Sequence, residues 1–249
     1  MADALLSDAG QGHSIDVPTG VSNKNKACQR TTIDRPCGIM PDNSPTQSEP
    51  ESRHQGPVIS VIVPVYNGGD SFRQCLAALH DADPRPDEII VVADGATDGS
   101  AEYAEALGLD VIRTSVRSGP AHARNLGARQ ANGEILFFVD ADVAIHADSV
   151  ARLRALFSEE AGLAAAFGSY DDTPAAPNFL SQYKNLFHHY VHQTARQEAS
   201  TFFGACGAIR RDVFLDLGGY DRCYGEPAIE DIELGYRLQQ AGHSVRLCK

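Results

Sequence analysis

Two carboxylates at the end of an apolar stretch are the residues best placed to do chemistry. Residues 135–139 read Ile-Leu-Phe-Phe-Val, and Asp140-Ala141-Asp142 follows directly. Such a run is typical of a strand inside a parallel sheet, whose carboxyl end is where α/β proteins bind ligands. If the strand persists through Ala141, both carboxylates point the same way and attract a hard divalent cation, which carries phosphates with it. From this stretch alone, the two acids could instead cap the next helix.

Two further polar clusters follow apolar stretches of the same kind. Tyr66 and Asn67 follow the β-branched run 58–65, and Asp94 follows the run 88–93. Because the carboxyl ends of parallel strands lie at one edge of a sheet, we expect these side chains beside the two aspartates. There a tyrosine can stack on a flat base and a carboxylate can accept a base N–H. Each residue alone could equally be a core-edge aromatic or a turn-forming residue.

Other charged groups that could act on a ligand begin predicted helices. Arg124 lies in the first turns of one, where it could meet a phosphate or pair with a neighbouring acid. Glu230 and Asp231 begin another, and a glycine-rich stretch at 204–207 precedes them along the chain. The helix dipole alone favours carboxylates at such a start. The same position would also present a general base, and both interpretations stand.

The elements that must position these residues alternate between strand and helix. From Pro57 to Val143 strand and helix patterns alternate four times, which predicts a mostly parallel α/β sheet with helices on both faces. Beyond Val143 the alternation loosens. The patterns there predict helices at 149–157, 178–196 and 229–238, and strands at 163–170 and within 202–211.

The helix predicted at 178–196 carries an apolar stripe. Its members are Phe179, Leu180, Tyr183, Leu186, Phe187, Tyr190 and Val191. Such a stripe is more often core than a ligand groove, so we expect it to be buried. His188 and His192 lie one turn apart, but without an evident third ligand a metal site there is not expected. The face also lacks the Lys and Arg fringe of a helix that leans on a membrane.

Composition argues against several classes of protein. The net charge of −12 over 249 residues argues against a general nucleic-acid binder. The six cysteines form no Cys-x-x-Cys pair and no signal peptide opens the chain, which indicates a cytoplasmic protein without zinc. No apolar run reaches the ~18 residues that span a bilayer. Residues 1–56 are polar and without periodicity, and we predict a disordered N-terminal extension there.

Six short motifs occur in one order along residues 57–249. They are Val-Ile-Val-Pro-Val-Tyr-Asn (61–67), Ala-Asp-Gly-Ala-Thr-Asp-Gly-Ser (93–100), Ala-Arg-Asn-Leu-Gly (123–127), Phe-Val-Asp-Ala-Asp (138–142), Gly-Ala-Cys-Gly-Ala-Ile-Arg-Arg (204–211) and Glu-Asp-Ile-Glu-Leu (230–234). Each alone is weak. In this order and spacing they resemble the family 2 glycosyltransferases.

The resemblance implies a GT-A fold, with a nucleotide-sugar-binding half at 57–143 and an acceptor-binding half at 144–249. It implies an inverting, hexosyltransferase-type enzyme that uses Mg²⁺ or Mn²⁺. The donor would be a nucleotide sugar, first of all a UDP-sugar, and the acceptor a glycan, lipid-linked or small-molecule hydroxyl. Polysaccharide, glycolipid or cell-envelope glycan synthesis would be its setting, in the cytoplasm or at the inner face of the membrane.

The same resemblance assigns roles to residues of this chain. The residues that would contact the donor nucleotide are Pro64, Tyr66, Asn67, Asp94 and Arg124. Asp140 would touch the ribose and the metal, and Asp142 would hold the metal. Asp231 would be the catalytic base, with Glu230 as its companion. Two departures stand out. Ala93 occupies the first of two positions that are commonly paired acids. No residue beyond Lys249 supplies the histidine that often completes the metal site, so the acceptor half is expected to be truncated.

Other functions share parts of this pattern. A phosphatase of the haloacid dehalogenase type also ends an apolar strand in Asp-x-Asp, but there a Thr or Val stands where this chain has Ala144. A nucleotidyltransferase would need a basic phosphate loop, and residues 67–70 contain neither Lys nor Arg. The stronger alternative is an incomplete or inactive glycosyltransferase-like domain that binds nucleotide or scaffolds a partner.

Overall fold

The computed structural model describes residues 56–174, 177–224 and 229–249. The N-terminal extension predicted at 1–56 therefore lies outside the described residues, apart from Gly56. The strands are β1 Ile59–Val65, β2 Glu88–Asp94, β3 Asp110–Thr114, β4 Ile135–Val139, β5 Leu163–Gly168, β6 Cys206–Arg210 and β7 Ser244–Cys248. The helices are α1 Gly69–His80, α2 Ser100–Ala106, α3 Pro120–Gln130, α4 Ser149–Glu159, α5 Phe179–Thr194, α6 Arg211–Asp216 and α7 Glu230–Gln240.

The strands form one seven-stranded sheet in the order β3-β2-β1-β4-β6-β5-β7. Strand β1 pairs in parallel with β2 and β4, β2 pairs in parallel with β3, and β5 with β7. Only β6 runs the other way, antiparallel to β4 and β5. The predicted α/β fold with a mostly parallel sheet is confirmed.

The antiparallel strand β6 decides which loops meet at the carboxyl edge of β4. Cys206, the first residue of β6, lies opposite Val139, the last residue of β4. The residues just before β6 therefore lie beside those just after β4, and the Asp140 N–H donates to the Ala205 carbonyl oxygen at 2.9 Å. Sequence periodicity carries no information on strand direction, so this juxtaposition was not predicted.

Burial on both faces of the sheet explains the continuous apolar run of β4. Phe137 packs into the core on one face, while Phe138 packs on the other against Phe214 and Tyr220, with ring centroids 5.2 and 5.4 Å away. Phe214 belongs to α6, a short helix that the sequence analysis did not identify. A strand buried on both faces needs apolar residues at every position.

Helix α5 contradicts one expectation. None of its residues is buried, and Phe179, at the start of its apolar stripe, is 82% exposed. The helix instead packs through its other side, where His188 stacks on Tyr170 with ring centroids 5.2 Å apart. The prediction that the stripe is core is wrong, because helical periodicity shows which side chains share a face but not which face is packed. No described helix is long and apolar enough to cross a membrane.

Candidate active site

A cleft of about 410 Å³ opens at the carboxyl edge of β1, β2 and β4. Eight of the nine site residues predicted from the sequence line it, namely Pro64, Tyr66, Asp94, Arg124, Asp140, Asp142, Glu230 and Asp231. Asn67 does not. The topology accounts for this convergence, since these strand ends and the start of α7 share one edge of the sheet.

The two aspartates after β4 are not equivalent. The strand ends at Val139, and the Val143 N–H donates to the Asp140 carbonyl oxygen at 3.0 Å, which makes 140–143 a turn. The extended conformation through Ala141 that would align both carboxylates is therefore absent. Asp140 is largely covered, whereas Asp142 is exposed and makes no hydrogen bond or ion pair with the described residues.

Arg124 ties the first half of the described chain to the last helix. Its guanidinium is buried, with Nη2 2.6 Å from Oδ1 of Asp140 and Nη1 2.9 Å from Oε1 of Glu230. Burial lowers the pKa of Arg124, but the two carboxylates outweigh it and the net shift is upward, so the side chain stays charged. Burial raises the pKa of Asp140, and the Arg124 charge partly offsets this. Both terminal nitrogens of Arg124 thus serve protein carboxylates.

Asp231 is held at the first turn of α7 and faces the cleft. Its Oδ2 accepts the Gly204 N–H at 3.1 Å, and its Oδ1 accepts the Ile232 N–H at 2.7 Å. Gly204 allows this approach, because a Cβ there would lie 2.9 Å from the Tyr220 hydroxyl and 3.4 Å from Cβ of Asp231. The carboxylate is oriented by two backbone donors in a position from which a general base could act.

Asp94 and Asn67 hold loops of the site. The buried Asp94 carboxylate accepts the Ser118 and Gly119 N–H groups at 2.9 and 2.8 Å, which anchors the residues that lead into α3 and hence Arg124. Asn67, with φ of +52°, accepts the Thr97 N–H at 2.8 Å and joins two loops. Direct contact of either side chain with a ligand stays a prediction.

Three cleft residues were not singled out from the sequence. Arg117 places its guanidinium 4.6 Å from the centre of the Tyr66 ring, and Tyr170 and Phe203 line the cleft together with Asp231. Arg117 had a local signal, since it directly precedes the Ser118–Pro120 turn into α3. Phe203 directly precedes the glycine-rich stretch 204–207, but its place beside Asp231 depends on the direction of β6.

The chemistry of the donor set fits a hard cation. Asp140 and Asp142 offer only carboxylate oxygens, and Asp142 is open to the cleft. Within the described ranges there is no group of three His, Cys, Asp or Glu residues arranged as a complete metal site. Mg²⁺-type ions are commonly held by one or two carboxylates plus substrate phosphates and water, which is what these residues could support.

Comparison with known proteins agrees with this geometry. The family model described as Glycosyl transferase family 2 matches residues 60–218, more than half of the chain. An uncharacterized glycosyltransferase of Escherichia coli K12, YibD, is 41% identical over 88 residues, which cover 34% of this chain and 26% of YibD.

Two solved structures share the fold. The mannosyltransferase PcManGT from Pyrobaculum calidifontis, in complex with GDP-Man and Mn²⁺, aligns with a TM-score of 0.58 at 24% identity, over 78% of this chain and 55% of that one. S. aureus TarS in complex with UDP-GlcNAc aligns with a TM-score of 0.59 at 21% identity, over 76% of this chain and 55% of that one. The predicted GT-A fold is confirmed. The match spans 26% of the length of YibD and 55% of each of these two chains.

Proposed function

This chain belongs to glycosyl transferase family 2, and on that premise we propose that it transfers a sugar from a nucleotide sugar to an acceptor hydroxyl with inversion. One observation carries the proposal. The carboxylate of Asp231, the Asp140–Asp142 turn and the Tyr66 ring all line one cleft. Residues 57–143 would bind the donor and residues 144–249 the acceptor, as the family resemblance implies.

The donor side would bind the nucleotide diphosphate. Tyr66 is 48% exposed at the end of β1 and can stack on a base, and a UDP-sugar is the donor we propose. Asp142, with Asp140, would hold Mg²⁺ or Mn²⁺ beside the diphosphate. The bound cation would stabilise the negative charge of the leaving group. The neighbours that carry GDP-Man with Mn²⁺ and UDP-GlcNAc support a nucleotide-sugar donor of this kind.

The acceptor side would supply the proton transfer. Asp231 would take the proton of the acceptor hydroxyl while the oxygen of that hydroxyl attacks the anomeric carbon of the donor sugar. The bond from that carbon to the diphosphate breaks, and the diphosphate leaves with the bonding electrons. Attack from the face opposite the leaving group inverts the anomeric centre. Glu230 does not compete for this proton transfer, because it is buried and paired with Arg124.

Donor binding is the first test. UDP, GDP or a UDP-sugar with Mn²⁺ should raise the melting temperature, since a ligand that binds only the folded state stabilises it. At a hundredfold excess over the dissociation constant the gain is about 2.7 kcal/mol. No shift with any nucleoside diphosphate would refute the proposal, and a shift without sugar transfer would favour a nucleotide-binding domain that lacks activity.

Two aspartate variants separate the proposed roles. Asp231→Asn should retain the donor-induced melting shift and lose transfer by about 10²-fold or more, because the general base is gone. Asp142→Asn should instead weaken the shift that depends on Mn²⁺. Donor titrations and single-turnover transfer assays measure the two effects. Full transfer by Asp231→Asn would show that another group is the base.

A setting in polysaccharide, glycolipid or cell-envelope glycan synthesis, at the inner face of the membrane or in the cytoplasm, completes the proposal. The family assignment supports it.

A further inference from the structure

The wall of the cleft beside Asp231 is aromatic. Tyr170, after β5, and Phe203, before β6, both line the cleft with ring centroids 6.0 Å apart and planes tilted by 59°. Phe203 directly precedes Gly204, whose N–H holds the Asp231 carboxylate. A molecule that presents a hydroxyl to Asp231 would therefore lie close to this aromatic pair.

Helix α5 braces both rings from behind. His188 stacks on Tyr170 with 21° between the ring planes, and His192 meets Phe203 edge-on with centroids 5.8 Å apart. Nδ1 of His189 lies 2.7 Å from the Tyr170 carbonyl oxygen. Both rings are only half-buried, so they keep surface for a ligand while their positions are set. Aromatic rings held in this way bind at a low entropic cost.

The charges at this end of the cleft are negative. Asp231 lies beside the aromatic pair, and the only basic residues among the described cleft residues are Arg117 and Arg124. Arg117 lies over Tyr66 at the donor end, and Arg124 is committed to Asp140 and Glu230. An acceptor that carries phosphate or carboxylate near its reacting hydroxyl would meet the like charge of the Asp231 carboxylate, which is unfavourable.

We propose that Tyr170 and Phe203 form the acceptor subsite and that the acceptor is an uncharged sugar ring. This inference rests on the proposed function. The C–H groups on one face of a pyranose carry small positive charge and pack against the negative face of an aromatic ring, whereas the ring hydroxyls point sideways to polar partners.

Acceptor kinetics test this subsite. The donor is one that raises the melting temperature of the protein. With it, wild-type protein is assayed against neutral mono- and disaccharides and against a phosphorylated polyol. Hydrolysis of the donor is measured separately, without acceptor. The Tyr170→Ala and Phe203→Ala variants should raise the KM for a neutral sugar about tenfold each, since a lost stacking contact has roughly that effect. The KM for the donor and the rate of donor hydrolysis without acceptor should both stay near the wild-type values.

Two further variants guard against a folding artefact. Tyr170→Phe keeps the ring and should keep an acceptor KM within a few-fold of wild type. Tyr183→Ala removes a tyrosine of α5 that is 57% exposed and outside the cleft, and should change nothing. The subsite is wrong if the alanine variants keep a wild-type acceptor KM, or if the donor-binding wild type transfers to the phosphorylated polyol and to no neutral sugar. Absence of any donor-dependent melting shift would instead overturn the proposed function itself, and the subsite with it.

Discussion

Two arginines, each paired with two carboxylates, show how burial changes the contribution of such ion pairs to stability. Arg124 and Arg113 each bind two carboxylates at 2.6 to 2.9 Å. The Arg124 side chain is 5% exposed, whereas that of Arg113 is 45% exposed and lies over α2 with Glu102 and Glu105. Water and salt screen the surface ion pairs of Arg113, so removing them should reduce stability only slightly. In the cleft, loss of the arginine would remove the buried positive charge that pairs with two covered carboxylates.

The Arg124→Gln variant should therefore destabilise the fold by about 3–5 kcal/mol, the usual effect of breaking a buried ion pair from one side. Arg113→Gln is the matched control and should unfold close to wild type. Urea denaturation of both variants at neutral pH measures the difference. Equal midpoints for the two variants would show that the buried network contributes nothing to stability.

Arg124 also holds two parts of the proposed reaction in register. Through Asp140 it touches the donor end and through Glu230 the first turn of α7, which carries Asp231. We interpret it as a positioning residue that keeps the base and the donor site at a set separation. Its guanidinium is a two-pronged donor, which the single ammonium of lysine does not replace.

At the scale of elements, β4 and α5 carry similar aromatic residues in opposite surroundings. Phe138 of β4 is fully buried, and Phe187 of α5 is 51% exposed with Tyr183 stacked beside it. The sequence analysis expects both the β4 run and the apolar stripe of α5 to be buried. The difference arises because β4 is central in the sheet with helices on both faces, while α5 packs through its histidine side.

Truncation of these two phenylalanines should therefore have unequal effects. Phe138→Ala should lower the free energy of unfolding by about 3–5 kcal/mol, because it leaves a cavity against Phe214 and Tyr220. Phe187→Ala should change it by less than about 0.5 kcal/mol, as exposed substitutions do. Thermal and urea unfolding of both variants make the comparison. A large loss for Phe187→Ala would mean that the apolar face of α5 is covered in solution.

At the scale of the whole molecule, one carboxylate links three segments of the sheet. Glu88 at the start of β2 accepts hydrogen bonds from the Ser60 hydroxyl of β1 and from the N–H and the amide of Asn132 before β4. Ser60 in turn accepts the Gly133 N–H at 2.8 Å. Burial raises the pKa of Glu88, but these donors outweigh it and hold the pKa below its ordinary value of 4.5.

This link should make part of the stability depend on pH. Because the folded-state pKa is lowered, the ionised Glu88 stabilises the fold above pH 4.5, and the contribution is lost as the pH falls through the folded pKa. Glu88→Gln should be less stable than wild type at pH 7, by under about 1 kcal/mol given its partial exposure. The difference should shrink as the pH falls below 4.5 and through the lowered folded-state pKa, where the wild-type carboxyl is protonated too. If the stability difference between wild type and Glu88→Gln persists in acid, the effect comes from the shape of the side chain rather than from its charge.

The amino-acid sequence by itself determined the elements and the ends of the strands. The apolar runs of β1, β2 and β4 and the polar residues that follow them are local features, and a strand buried on both faces can hardly be built otherwise. The edge on which Tyr66, Asp94 and Asp140 converge follows from parallel strand order alone. Fold class and most of the cleft were therefore predictable.

Only the tertiary structure decided the contacts that join distant segments. The pairing of Arg124 with Glu230 spans 106 residues. The antiparallel direction of β6 brings Phe203 and Gly204 to Asp231. The exposure of the α5 stripe depends on which face the rest of the chain covers. Asp140 and Asp142 are unequal for the same reason. The turn after β4 and the contact of Asp140 with Arg124, not the spacing of the two residues, set what each carboxylate can bind. Periodicity reports a local face, whereas these contacts depend on the direction and packing of elements far apart in the chain.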